Sequence, residues 1–185
     1  MTKIQKELII FFIPILVLYG IILLRTAWVC DDAYITLRTV DNFIHGYGLT
    51  WNPGERVQTN VHPLWMFVLS AVIFITREHY LTLIFLSMGL SLLAVSLLAF
   101  KISLSRWASL LGLTALLFSK SFIDYSTSGL ENPLSYVIVV AFALLYFSPE
   151  TSSKKLLGLA WLACLGILTR LDAALLFIPP LVHSF

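Results

Sequence analysis

The sequence predicts an all-α integral membrane protein: a helical bundle of about six spans, the last partial, with two juxtamembrane helices in the first outer loop. Three observations predict it. Of 185 residues, 59% are apolar and only 12% charged, about half the charged share of an ordinary soluble domain. Mean hydropathy is +0.91, and the apolar runs are continuous, which suits helices and not alternating barrel strands. Lys and Arg gather at a few breaks between those runs, where orientation in a membrane is decided.

The first span is read at residues 8–29. Lys3 and Lys6 precede it, and Leu8 to Leu24 gives 17 uncharged residues in a row, longer than a secretory h-region of about 7–15. No small-residue cleavage site follows, so a retained signal anchor is expected. Pro14 is a candidate kink, Arg25 can snorkel and Trp28 suits an interfacial anchor. Residues 30–80 form the outer loop. Within it Asp31 to His45 (31–45) spaces Tyr34, Leu37, Val40 or Asp41, and Ile44 as an amphipathic surface helix. Gly46, Gly48 and Asn52-Pro53-Gly54 end it. Pro63 opens a second loop helix at 63–76, whose 13 residues from Pro63 to Ile75 fall short of the about 20 needed to cross upright. Further spans are expected at 81–100, 107–123, 134–148 and 156–168, with a partial one at 173–185. The chain is read as one membrane domain, 1–185, without internal repeats.

Orientation depends on whether Pro63 to Ile75 crosses. If it lies in the interface, Lys101/Arg106 and Lys154/Lys155 fall on the cytoplasmic side with the N-terminus, as the positive-inside rule asks. The same choice puts Asp31, Asp32, Glu131 and Asp172 on one outer face. The final run carries Pro179-Pro180 and reaches Phe185 without a polar cap; the expectation is an N-terminal portion whose C-terminal part is missing.

Net charge is +2, and no basic face points to nucleic acid. Cys30 and Cys164 lie far apart, with neither disulfide-framework nor metal-ligand spacing. The chemistry therefore rests on the polar stretch Asp31 to Trp65. Two adjacent carboxylates at a partly apolar cleft can divide roles, one taking a proton and one holding a hydroxyl or cation. The competing reading is a solvated helix start, which Asp favours. Glu131, in Ser-Gly-Leu-Glu-Asn-Pro, and Asp172, in Thr-Arg-Leu-Asp, share that competing reading. Arg38, Arg56 and Arg170 lie on the outer face against the positive-inside rule, and Arg is suited to bidentate phosphate contacts. Lys120 reads as a snorkelling or locally paired residue. His62 is a candidate ligand for phosphate, metal or a hydroxyl, or else a polar interface residue. A small transporter is disfavoured, because no charged residue lies mid-span.

The stretches DDAYITLR, GYGLTWNPGERV and HPLW, with the later SGLENPL and LTRLDAALL, resemble bacterial GT-C glycosyltransferases. The closest resemblance is to the mycobacterial arabinofuranosyltransferase-like family; protein O-mannosyltransferases and aminoarabinose transferases are more distant. It covers about residues 8–180. The resemblance implies a GT-C-type bundle in a bacterial cytoplasmic membrane, N-terminus inside and active site outside. It implies transfer of a sugar from a polyprenyl-phosphate donor to a glycan, lipid or protein acceptor, with inversion and Asp31 as base beside Asp32. Arg38, Arg56 and Arg170 would meet phosphate, and His62, Glu131 and Asp172 complete the substrate-binding set. No metal ligand set or cofactor is implied, though a divalent cation stays open, since oxygen-ligand cations need several carboxylates together. Gln58-Thr59-Asn60-Val61-His62 replaces the relatives' EGYTN, leaving the sugar and acceptor open. The alternative is a truncated, non-catalytic membrane protein that binds polyprenyl lipid or a protein partner.

Overall fold

A computed structural model describes residues 3–55, 57, 59, 61–102, 106–149 and 152–183, and all regular structure among them is helical. The expected Arg56 lies outside the described residues. Helix α1 (Lys3–Thr26) runs through Pro14 without a break. It then bends by 87° into α2 (Asp31–Ile44). The second loop helix, α3 (Pro63–Thr76), starts on its proline, whose missing N–H costs nothing at a first helical position. It stops where Arg77 takes a left-handed conformation at φ 58° and folds its guanidinium over the Phe74 ring.

Helix α4 (Tyr80–Leu97) continues through a π-turn at Leu98–Ile102. The apolar run expected at 107–123 is instead two helices, α5 (Arg106–Phe118) and α6 (Lys120–Tyr125). Ser119 breaks it: its backbone is extended and its hydroxyl accepts the Phe122 N–H at 3.3 Å, an N-cap that restarts the helix. Helix α7 (Asn132–Tyr146) carries Pro133 in its first turn, and α8 (Ser153–Thr169) is capped by Ser152. A 3₁₀ turn at Leu171–Ala173 leads into α9 (Ala174–His183), which keeps Pro179 and Pro180 inside it.

Three apolar clusters hold these helices. Ala33, Leu37 and Val40 of α2 pack on Trp65, Met66, Leu69 and Ile73 of α3 and Leu83 of α4. Phe12, Tyr19 and Leu23 of α1 meet Val95, Ala99, Leu113 and Ile123. Ile138 and Phe142 of α7 meet Leu159, Ala163 and Phe177 of α8 and α9. Helices α1 and α4 run antiparallel, Gly20 lying against Leu92 and the Phe12 ring edge-on to Phe100 at 5.9 Å.

The apolar stripe of α2 begins on Ala33, not on the expected Tyr34, which is half exposed. The cause is Gly129, at φ 86°, whose place for a Cβ lies 2.8 Å from the Ala33 Cβ and 2.7 Å from Leu83. Only a small side chain fits on that line of the helix.

By length and composition one described helix could cross a membrane alone, Tyr80–Lys101 at 22 residues. Helices α3, α5, α7 and α9 are apolar but shorter. Large apolar side chains face outward all along the bundle, among them Leu18, Leu24, Leu111, Phe118, Trp161 and Leu175.

Candidate functional site: a buried polar relay beside an acidic helix start

The turn 126–131 is the foundation of the site. Ser126, Thr127 and Ser128 are wholly buried, and backbone inside apolar packing must find partners. It finds them on the neighbouring elements. The Cys30 N–H donates to the Ser128 carbonyl at 2.9 Å, and the Trp65 indole donates to the Gly129 carbonyl at 3.0 Å. The start of α2 and the first turn of α3 are thereby fixed to the start of α7.

Asp31 and Asp32 lead α2 from Cys30, which gives no side-chain cap. Asp31 Oδ1 accepts the Asp32 N–H at 3.1 Å, and both carboxylates are exposed. At about 100° per residue they leave the helix on different flanks. Asp31 shares its exposed face with Arg38, seven residues on. Asp32 lies one turn before Thr36, on the flank that meets the rest of the cluster. Burial, which contributes most, and the carboxylates of Asp32 and Asp31 push the Cys30 thiol up from its ordinary range.

From Thr36 a chain of polar contacts crosses the bundle. Thr36 Oγ1 lies 2.8 Å from His62 Nε2, and His62 Nδ1 lies 3.4 Å from Glu131 Oε2. Glu131 Oε1 is 3.5 Å from Arg170 Nη1. Arg170 then grips Asp172 with both prongs, Nε to Oδ1 at 3.0 Å and Nη2 to Oδ2 at 2.8 Å. His62 and Glu131 are each 7% exposed. Burial lowers the His62 pKa, opposed by the Glu131 charge, reinforced by Arg170 and opposed again by Asp32. A neutral His62 with its proton on Nδ1 satisfies both neighbours, donating towards Glu131 and accepting the Thr36 hydroxyl proton. Hydrogen bonding to Arg170 holds the Asp172 carboxyl below its usual range, and the same contact raises the Arg170 guanidinium further.

His62, Glu131, Arg170 and Asp172, four residues singled out in the sequence, thus form one connected group. Arg38 stands apart on the exposed face of α2, and Lys120 pairs locally with Asp124. Thr36 escaped the sequence reading, although its place four residues after Asp32 could have marked it. Gly129 escaped as well; its signal was the Ser-Gly-Leu-Glu turn itself. Next to Arg170 and Asp172 opens a cavity of about 360 Å³, lined mainly by apolar side chains including Val95, Leu98, Leu116, Val139 and Leu176. Among the described residues no group of three or more His, Cys, Asp or Glu is placed to hold a metal ion. The space between Glu131 and Asp172 is taken by the Arg170 guanidinium.

The terminal β-(1→2)-arabinofuranosyltransferase of Mycobacterium tuberculosis is 31% identical over 179 residues, covering 86% of this chain and 28% of that protein. The protein of the same name from Corynebacterium glutamicum is 33% identical over 144 residues, 71% of this chain and 21% of its own. Over most of its length the chain is thus homologous to proteins named as arabinofuranosyltransferases. It spans between about a fifth and about three tenths of the length of these curated relatives. No family model matches the chain, and no solved structure does.

Proposed function

We propose that the chain is part of a GT-C-type membrane glycosyltransferase that moves a sugar from a polyprenyl-phosphate donor to an acceptor on the outer side of a bacterial cytoplasmic membrane. The observation that carries this reading is homology to arabinofuranosyltransferases over 86% of the chain. In this reading α1, α4, α5 with α6, α7, α8 and α9 span or partly span the bilayer. Helices α2 and α3 lie along its outer surface. The 87° bend between α1 and α2 supports that placement, and so does the 14-residue length of α3, about 21 Å against a hydrocarbon core of about 30 Å.

Asp31 is the general base. It accepts the proton of the acceptor hydroxyl as that oxygen attacks the anomeric carbon. The bond from that carbon to the lipid phosphate breaks, the phosphate keeps the electron pair, and the configuration inverts. In-line displacement puts acceptor and leaving group on opposite sides of the sugar, and the two aspartates leave α2 on different flanks. Asp32, on the side of Thr36 and His62, faces the donor; Arg170 meets the charge that develops on the leaving phosphate.

Replacing Asp31 with Asn in the intact gene product is expected to lower transfer about 10²–10⁴-fold, with the melting temperature unchanged. Full transfer in both Asp31→Asn and Asp32→Asn would remove the assignment. Mass spectrometry of lipid-linked sugars and surface glycans, with and without the gene, identifies donor and acceptor. The topology has its own test. In a chain with Cys30 and Cys164 replaced by Ser, a Ser103→Cys thiol should label from the cytoplasm only; labelling from outside overturns the surface placement of α3.

A further inference from the structure

Arg170 sits between two carboxylates that differ in everything governing exchange. Glu131 is buried, its side chain 10% exposed, and its second oxygen faces His62. Asp172 has a side chain 64% exposed and lies two residues along the same turn. Yet Asp172 holds the better edge of the guanidinium, the Nε and Nη2 pair at 3.0 and 2.8 Å, while Glu131 touches only Nη1 at 3.5 Å. An exposed ion pair of this kind contributes little to stability, so its anion can be exchanged at small cost. A buried carboxylate cannot leave without abandoning its partner charges in apolar surroundings. The Nε/Nη2 edge also has the two-pronged geometry that suits phosphate oxygens. Arg170 and Asp172 are the charged residues in the lining of the apolar cavity of about 360 Å³, large enough to receive part of a hydrocarbon chain attached to such a phosphate.

We propose that Arg170 is an anion-exchange site in which Glu131, braced by His62, is the permanent partner and Asp172 the displaceable one, whose place a phosphate monoester with an apolar tail takes. This rests on the glycosyltransferase reading for the identity of the phosphate, not for the exchange itself. Glu131 and His62 are then positioning residues: they hold the guanidinium while its outer edge changes partners. Asp172 occupies the outer edge between ligands.

The two carboxylates should therefore respond to neutralisation with opposite signs. With the intact protein in detergent, farnesyl phosphate and inorganic phosphate are titrated by calorimetry. Asp172→Asn is expected to bind farnesyl phosphate about three- to tenfold tighter than the natural protein, and Glu131→Gln about tenfold weaker. Arg170→Gln should lose the site, and adding Asp172→Asn to it should change nothing further. Inorganic phosphate is expected to follow the same order at lower affinity; equal affinities for the two probes would remove the cavity from the site and overturn the proposal. Weaker or unchanged binding in Asp172→Asn overturns it, as does unchanged binding in Glu131→Gln. Should Glu131→Gln fail to fold, His62→Gln frees the same carboxylate from its other side and is expected to weaken binding likewise. Binding is read without turnover. Transfer that survives Asp31→Asn and Asp32→Asn, and exchange that fails here, are therefore separate results.

Discussion

The two ends of this bundle are held together in different ways. At the end carrying Asp31, His62, Glu131 and Arg170, the fixing bonds join residues far apart in the chain. Cys30 reaches Ser128, Trp65 reaches Gly129, and the Trp28 indole donates to the Asp124 carbonyl at 3.0 Å. The Tyr19 hydroxyl meets Ser126 at 2.9 Å. At the opposite end the Tyr146 hydroxyl meets His183 Nδ1 at 3.1 Å, and the other bonds described there are local. Lys155 donates to the Tyr146 and Ser148 carbonyls at 2.9 and 2.8 Å, and Ser109 donates to the Ala99 carbonyl at 3.0 Å. Local bonds tie a helix end to the element next to it in sequence. Long-range bonds set helices in register with one another, which is what a site assembled from four elements requires.

The contrast is broken most severely at Gly129. An alanine there would place a methyl 2.7–2.8 Å from Leu83 and Ala33 at a φ of 86°, so strain and overpacking act together. Gly129→Ala is expected to cost about 3 kcal/mol or more, read as a lower melting temperature with loss of transfer. Trp65→Phe keeps most of the buried ring but leaves the Gly129 carbonyl unpartnered, at about 2 kcal/mol; a change no larger than at an exposed tryptophan would mean the bond does not register α3.

His62 sharpens the comparison through pH. Its folded pKa is lowered by burial, so below the ordinary histidine value of about 6.5 the unfolded chain binds the proton more readily. Stability is then present in full above that value and falls as pH drops below it. His62→Gln should flatten that acid loss; an unaltered acid limb would place the titrating group elsewhere. The smallest effect belongs to the opposite end. Lys155→Met should cost about 1 kcal/mol and leave phosphate binding as in the natural protein.

Much of this was legible in the sequence because the signals are local. The starts of α2 and α3 follow from the Asp pair and Pro63, and the acidic and basic positions at one end follow from charge placement alone. What was not legible is contact between distant segments. Tyr34 looked like the first apolar position of α2, since periodicity cannot reveal that Gly129 leaves room only for Ala33. Ser119 split an apolar run that composition reads as continuous, because one hydroxyl cap outweighs the propensity of its neighbours. His62 and Glu131 were both visible as candidates, but that each uses its polar atoms on the other's side of the chain is a fact of packing.

Gly166 has a similar bearing on the length of the chain around Arg170. The Phe177 ring lies where a Cβ on Gly166 would stand, 2.1 Å from its Cε2, so α8 and α9 are clasped at a point on each side of the turn. The residues between that clasp and Arg170 have no slack. An insertion or deletion there would shift the guanidinium against Glu131 by a whole residue's rise. Related chains should thus keep the spacing from Gly166 to Phe177 constant.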